Sequence, residues 1–284
     1  MRNIVERKGI KREDVLSSIL DLLCSSIGSL TNPTRVADTI NTRQKRAGEN
    51  IVALNTVKSY VEHLSDAFLF TECKRWDVKG KSYFDYPNKY YCEDIGLRNA
   101  RIGFRQQELT HIMENIIYNE LIIRDCTVDI WVVYSNEKNR LGKVSQVARE
   151  IDFIANSGGK KTYIQSAYAL GTEEKTITEN KPFSLTGDSF PKIIVRHDIR
   201  KRWYDENGVL NIGIIDFLLD DTVIWPSKPE SNPVQLQEWD CFLEYIMPLD
   251  NSEICHILFQ ILAAFMCLQR KLIPWLIFED SLLL

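Results

Sequence analysis

Apolar residues in the N-terminal third of the chain recur at the spacing of amphipathic helices. Val15–Ile27 places apolar side chains at intervals of three and four residues, and Gly28 then ends the pattern as a helix C-cap would. A second helix is predicted to start at Thr34, as its N-cap, and to run through Ile40. A third begins near Asn55 and carries apolar positions as far as Phe68.

The pattern changes to alternation directly after the third helix. Leu69–Trp76 and Ser82–Tyr86 read as two strands joined by a turn at Asp77–Gly80. Three helices followed by a β-hairpin predict a winged helix-turn-helix domain that covers residues 1–88.

Residues 89–220 mix both periodicities and predict an α/β domain. A short strand at Lys89–Asp94 precedes an amphipathic helix over Arg105–Ile123. The strands that follow are predicted at Val128–Tyr134, Val147–Ala155, Thr162–Ala169 and Lys192–Arg196, with a helical linker before the last of them and a short final element at Gly213–Leu219.

Residues 221–284 are predicted to form a linker and an apolar helical tail. Pro226, Pro229 and Pro233 mark the linker, and Ile254–Leu268 is apolar on nearly every face. A membrane helix needs about 20 apolar residues without interruption. We therefore expect a buried or partner-facing helix here and no stable membrane span.

Composition and charge favour a globular, intracellular protein. The net charge is −4, and 44% of the residues are hydrophobic against 26% charged. Seven cysteines are scattered without metal-ligand spacing, which is typical of reduced thiols and predicts a cytoplasmic location.

The front of the chain is mildly basic, with 15 basic and 11 acidic side chains in residues 1–90. Such a balance is compatible with contact to phosphates, which bind cations largely without regard to sequence. Many winged helices dock proteins instead, and this alternative stays open because acidic residues share the third helix. The candidate nucleic-acid-binding residues are Arg43, Lys45, Arg46, Lys58, Lys79 and Lys81.

The hairpin after Val147 predicts a definite register. A two-residue turn at Gly158–Gly159 pairs Asp152 with Gln165 and Glu150 with Ala167. Strict alternation would direct these four side chains to one face of the sheet. The neighbouring side chains of Ile151, Phe153, Ile164 and Ser166 would then point to the other face.

Glu114, on the preceding helix, would add a further carboxylate at the same edge. Glu114, Glu150 and Asp152 are oxygen donors of the kind that Mg²⁺ prefers, and such sites hydrolyse phosphodiesters with the help of a lysine. Ala167 stands where that lysine is expected, so the catalytic set Glu114, Asp152 and Gln165 is degenerate. Two interpretations remain: a structural Asp152–Gln165 hydrogen bond, or a metal site in which Lys161 or Lys143 replaces the missing lysine.

Ordered motifs across residues 5–220 resemble the C-terminal part of prokaryotic AAA-type ATPases. These motifs are Lys89-Tyr90-Tyr91, Asp94–Arg98, Glu114-Asn115, Arg149–Ile154, Tyr163–Tyr168, Pro191–Ile194 and Asp216–Leu219. The resemblance implies a winged helix followed by a restriction-endonuclease-like, PD-(D/E)XK type of domain. In that family an ATPase core precedes the winged helix, so the chain resembles a truncated member or one half of a split gene.

The chain is expected to bind no ATP by itself. Gly80-Lys81-Ser82 ends like a phosphate-binding loop, but the required upstream glycine is replaced by Arg75. We predict a non-catalytic module that binds nucleic acid, a separate ATPase subunit or another protein, and no cofactor. The alternative function is a divalent-metal-dependent nuclease, which would require Mg²⁺.

Overall fold

The computed structural model describes residues 2–76, 87–105, 108–138 and 144–224. The predicted turn and second wing strand, with Lys79 and Lys81, lie outside these ranges, as do Lys143 and residues 225–284 of the predicted linker and tail. Within the described ranges the chain forms helices around a six-stranded sheet, and the mixed α/β class that the sequence predicted is confirmed.

The chain begins with four helices, α1 (Arg2–Lys8), α2 (Glu13–Ser25), α3 (Pro33–Ala47) and α4 (Leu54–Asp66). The second predicted helix starts earlier than expected, because the side chain of Asn32, and not of Thr34, caps it. Asn32 accepts a hydrogen bond of 2.8 Å from the backbone N–H of Arg35, and Pro33 occupies the first helical position, where a missing N–H costs nothing.

A two-stranded antiparallel ribbon follows the helices. Strand β1 (Phe70–Cys73) pairs with β2 (Lys89–Cys92), in the register Phe70 to Cys92 and Cys73 to Lys89. The residues assigned from the sequence to the start of the second domain therefore pair with a strand of the first. This pairing places Lys89 at the junction of the two predicted domains.

The main sheet has six strands in the spatial order β3-β4-β5-β6-β8-β7. Strands β3, β4 and β5 are antiparallel, β5, β6 and β8 run parallel, and β7 is an antiparallel edge. The strand bounds are β3 Thr127–Lys138, β4 Val144–Ser157, β5 Lys160–Ala167, β6 Lys192–Arg196, β7 Trp203–Tyr204 and β8 Leu210–Gly213.

Four further helices accompany the sheet: α5 (Ile95–Arg101), α6 (Leu109–Ile123), α7 (Glu173–Ser184) and α8 (Ile214–Leu219). Helix α6 begins four residues after Arg105, where the sequence had placed its start, and α5 was not predicted. The final element expected at Gly213–Leu219 is α8, which follows directly on strand β8. None of the helices in the described ranges is both long and apolar enough to cross a membrane.

The apolar core lies on both faces of the main sheet. The larger cluster joins side chains of α2, α3 and α4 to the face covered by α6, including Leu16, Leu64, Ile117 and Phe153. The smaller cluster lies on the face of α7 and includes Ile154, Tyr163 and Phe183. Because the larger cluster is continuous, the N-terminal helices and the α6 face of the sheet bury their apolar surface together.

Candidate functional site

A buried lysine sits among three carboxylates where β2, α6 and β4 meet. The Lys89 Nζ lies 2.7 Å from Glu114 Oε1 and 3.3 Å from Asp152 Oδ1, and it also forms an ion pair with Glu150. Lys89 is 4% exposed and Glu114 and Asp152 are each 7% exposed, whereas the Glu150 side chain is partly exposed. We call these four residues the lysine–carboxylate cluster.

Strand β2 is positioned against α6 by an amide clamp. Asn115 accepts a hydrogen bond of 2.8 Å from the backbone N–H of Cys92 and donates one of 2.8 Å to its carbonyl. Both free backbone groups of this strand residue are thereby satisfied by one side chain. Since Glu114 precedes Asn115 on α6 and Lys89 lies on the same strand as Cys92, the clamp brings the two ends of the ion pair together.

Glu114 is enclosed by groups from two other elements. Tyr91 Oη donates a hydrogen bond of 2.6 Å to Glu114 Oε1. On the opposite side is Gly28, whose φ is +68° and at which an added Cβ would lie 3.3 Å from each Glu114 carboxylate oxygen. The turn after α2 therefore packs directly on the carboxylate, and only glycine combines this backbone conformation with so close an approach.

The predicted hairpin register is confirmed. Gly158 and Gly159 both have positive φ, and the ladder pairs Phe153 with Ile164 and Ser157 with Lys160, so that Asp152 and Gln165 come next. Beyond Phe153, the two strands are joined by hydrogen bonds between side chains and backbone N–H groups. Asp152 Oδ2 accepts from the backbone N–H of Ser166 at 2.9 Å, and Gln165 Oε1 accepts from the N–H of Asp152 at 3.4 Å.

The expected sharing of one face by Glu150, Asp152, Gln165 and Ala167 is wrong, because β4 contains a β-bulge. Asp129 pairs with Ile154 but Trp131 pairs with Ile151, so two residues of β4 oppose one of β3. The bulge interrupts the regular alternation of side chains between the two faces along β4. Ile151 packs with Ala167 on the α7 face, while Phe153 and Ile164, expected on the same side as Ile151, pack on the α6 face.

Gln165 is accordingly directed to a different partner from Asp152. Its Nε2 donates a hydrogen bond of 3.0 Å to Glu179 Oε2 on α7. Burial raises the pKa of Glu179, and the negative charge of Asp152 adds to this effect. Glu179 is thus a further carboxylate at the site, and the sequence interpretation did not include it.

The electrostatics of the cluster are dominated by burial and by one shared cation. Burial raises the pKa of Glu114 to about 7 and also raises that of Glu150, although Lys89 opposes both shifts. For Lys89, burial alone would lower the pKa, but the three carboxylates outweigh it and hold the pKa well above its usual value. Lys89 is therefore charged at neutral pH.

The donor oxygens have the chemistry for a divalent cation, but the position between them is taken by an ammonium group. Glu114, Glu150 and Asp152 each direct an oxygen at Lys89 Nζ. Over the ranges that the structure describes, no group of three or more His, Cys, Asp or Glu side chains is arranged to hold a metal ion. With Lys89 in place, the residues do not fit the metal that the nuclease interpretation requires.

The lysine that the nuclease interpretation sought comes from β2, and not from Lys161. The Nζ of Lys161 lies 5.2 Å from the ring centre of Trp76 and 5.1 Å from that of Phe190, away from the carboxylates. A signal for Lys89 was present in the sequence: a lysine directly before Tyr90, Tyr91 and Cys92. All four residues of that strand are buried, and a buried lysine needs carboxylate partners.

The candidate nucleic-acid-binding residues lie on the N-terminal helices. Arg43, Lys45 and Arg46 lie on the last turns of α3 and not in the connection that follows it. The helix continues to Ala47 and is capped there by Gly48, whose backbone is in the left-handed conformation. Lys58 lies on α4, and all four side chains are exposed. They have no ion-pair partner among the described residues, and we call them the basic helix surface.

Parts of the chain are similar to other proteins. Residues 1–108 match a domain of unknown function, DUF8612, in a range that includes β2 and Lys89. An uncharacterized protein of Haemophilus influenzae is 29% identical over 222 residues, which make up 77% of this chain and 49% of that protein. The chain thus spans about half the length of this relative.

Among solved structures, protein VC1899 from Vibrio cholerae is similar over 72% of this chain and 54% of its own. The sequence identity is 12% and the TM-score is 0.25. In sequence, the chain is similar to an uncharacterized relative over most of its length and, in its first 108 residues, to a domain of unknown function.

Proposed function

We propose that this chain is a nucleic-acid-binding module whose nuclease-like carboxylate site is closed by its own lysine and does not cut. The observation that carries the proposal is the ammonium group of Lys89, which is buried and paired with Glu114, Glu150 and Asp152. A phosphodiester must reach the carboxylate site to be hydrolysed. Burial of Glu114 and Asp152 keeps it away.

The order of elements supports the nuclease-like part of the proposal. Helix α6, three antiparallel strands, helix α7 and the parallel strand β6 follow in the order expected of a restriction-endonuclease-like core. Helices α2, α3 and α4 with the β1–β2 ribbon support a winged helix. The same order supports a relation to the C-terminal part of AAA-type ATP-binding proteins, and hence a separate ATPase subunit as a partner.

The basic helix surface supports nucleic acid as the ligand. Arg43, Lys45, Arg46 and Lys58 are exposed, and no carboxylate in the described ranges neutralises them. Cations in this situation bind phosphates and release counterions, which gives an affinity that falls steeply with salt and depends little on sequence.

Binding is tested with a labelled duplex whose fluorescence anisotropy is measured between about 50 and 200 mM salt. We expect Arg43→Ala/Lys45→Ala/Arg46→Ala to weaken binding and to reduce the salt slope by up to about 0.9 for each phosphate that the variant no longer binds. Arg43→Lys/Lys45→Arg/Arg46→Lys keeps the charge and should keep the slope. Equal binding by all three proteins would contradict the proposal and would favour a protein ligand for this surface.

A second candidate, a divalent-metal-dependent nuclease, is favoured by two observations. A lysine does reach the carboxylates, and Glu179 lies beside Gln165, where the expected carboxylate is missing. The test is cleavage of single-stranded and duplex oligonucleotides with Mg²⁺ or Mn²⁺. We expect no cleavage. Cleavage by the natural protein that Asp152→Asn abolishes would replace our proposal with this second one.

A further inference from the structure

An exposed aromatic edge of the main sheet lies in one row with Gln165. Gln165 pairs with Ile194, Ile194 with Asn211, and Asn211 with Trp203, across strands β5, β6, β8 and β7. Partners in register direct their side chains to the same face, so Trp203 shares the α7 face with Gln165. Three strand spacings separate the two residues by about 14 Å.

Trp203 is held in place although it is exposed. The guanidinium group of Arg196 lies 5.6 Å from the centre of its ring, and Asp198 fixes that guanidinium through two hydrogen bonds of 2.8 Å. Trp203 is nevertheless 43% exposed and Tyr204 is 71% exposed. An aromatic side chain that is already ordered loses little conformational entropy when a ligand stacks on it.

Unpaired positive charge lies directly before this strand. Arg200 and Lys201 are exposed and have no ion-pair partner in the part of the chain that the structure describes. Arg202, in contrast, is paired with Asp220 at 2.7 Å. Among the nearby acidic residues, Asp205 is occupied by the backbone N–H groups of the following turn, and Glu206 is exposed.

We propose that Arg200, Lys201 and Trp203, which we call the β7 edge, form a binding site for single-stranded nucleic acid. This inference rests on the proposed function and specifies the kind of nucleic acid. Exposed aromatic faces stack on unpaired bases, while adjacent cations bind the backbone, and a duplex hides the base faces that stacking needs. The row to Gln165 directs the bound strand along the α7 face, on which Gln165 is hydrogen-bonded to Glu179.

The experiment compares a labelled single-stranded oligonucleotide with its duplex, using anisotropy and the full chain. Trp203→Ala should weaken single-strand binding about 5- to 150-fold, the equivalent of losing one stacked base, and should leave duplex binding unchanged. Trp203→Phe keeps an aromatic face and should recover most of the affinity. Arg200→Ala/Lys201→Ala should lower the single-strand salt slope by about 1.4, at roughly 0.7 for each phosphate.

Tyr204→Ala and Phe68→Ala complete the set. Both residues are strongly exposed, but neither belongs to the β7 edge, because alternation along β7 directs Tyr204 to the face opposite Trp203, and so neither replacement should weaken single-strand binding. Far-UV circular dichroism verifies that each variant is folded. Single-strand binding that none of the β7 edge variants changes would overturn the inference.

The duplex arm separates this inference from the proposed function. If the basic helix surface binds duplex and the β7 edge variants change nothing, the proposed function stands and the inference fails. If the natural protein binds neither oligonucleotide, both fail together. If it binds the single strand through the β7 edge alone, the inference stands and the role of the basic helix surface is wrong.

Discussion

The chain uses its cations in two opposite ways. Lys89 is buried and shared by three carboxylates, whereas Arg43, Lys45, Arg46 and Lys58 are exposed with no ion-pair partner in the described ranges. A buried charge that loses its partners lowers the stability of the folded protein, so Lys89 has a structural role. An exposed charge contributes little to stability and stays available to a ligand. A positive charge thus contributes to the fold in one region and remains available to a ligand in the other.

The largest expected effect is that of removing the buried cation. Lys89→Met leaves three carboxylates without their common partner, and should lower the free energy of unfolding by about 3–5 kcal/mol. The exposed counterpart Lys58→Met should change it by no more than about 0.5 kcal/mol. Urea denaturation measures both variants, and adding Glu114→Gln to Lys89→Met should recover part of the loss. Similar losses of unfolding free energy in Lys89→Met and Lys58→Met would contradict the contrast between a buried, structural cation and an exposed one.

A smaller effect is expected where the chain packs against Glu114. Gly28 and Gly48 have φ values of +68° and +70°, but only at Gly28 would a Cβ meet another group, the Glu114 carboxylate. Gly48→Ala should cost about 1–2 kcal/mol through backbone strain alone. Gly28→Ala should cost about 1 kcal/mol more, because the methyl group crowds the carboxylate. Equal losses in thermal or urea unfolding would show that the turn after α2 does not press on the cluster.

The smallest expected effect is a dependence of stability on pH. Burial raises the pKa of Glu114 from 4.5 to about 7 on folding, so the folded protein binds a proton more tightly than the unfolded chain. This contribution is fully present below pH 4.5 and is lost as the pH rises to about 7. The free energy of unfolding should fall over that interval, on the order of 1–3 kcal/mol.

The matched variants for this pH effect are Glu114→Gln and Glu62→Gln. Glu114→Gln removes the titrating group and should flatten the profile, leaving the contributions of Glu150, Glu179 and Asp129, whose pKa values burial raises as well. Glu62 is exposed on α4, and its replacement should leave the profile unchanged. Carboxyl groups whose pKa is lowered, such as Asp14 and Asp66, affect stability at lower pH. A profile that rises from pH 5 to 7 in the natural protein would contradict the assignment.

Local patterns predicted much of this structure. Apolar spacing located α2, α4 and α6, and the Gly158–Gly159 turn predicted the β4–β5 register, because both signals depend on residues close in sequence. Helix boundaries were less accurate. Asn32 takes the capping role expected of Thr34, since the side chain at either position has the chemistry of a cap.

The site itself was only half predictable. Glu114, Glu150 and Asp152 were predicted to meet at one edge of the sheet, from alternation along β4 and from the position of Glu114 on the preceding helix, which are local patterns. Their common partner was not, because Lys89 is 25 residues from Glu114 and 63 from Asp152 in sequence. The bulge in β4 was equally hidden. It arises from the pairing of β4 with β3, and it directs Gln165 and Asp152 to different partners.

The sequence by itself determined the kinds of element, their order and the supply of charges. It also placed Asp152 between Ile151 and Phe153, which favours burial of that carboxylate. Only the tertiary structure decided which of the 35 lysine and arginine side chains would neutralise them. That choice depends on β2 pairing with β1 and being clamped to α6 by Asn115, contacts that join distant parts of the chain. An ion pair in a low-dielectric interior depends on distances of a few ångströms, and such distances exist only once the chain has folded.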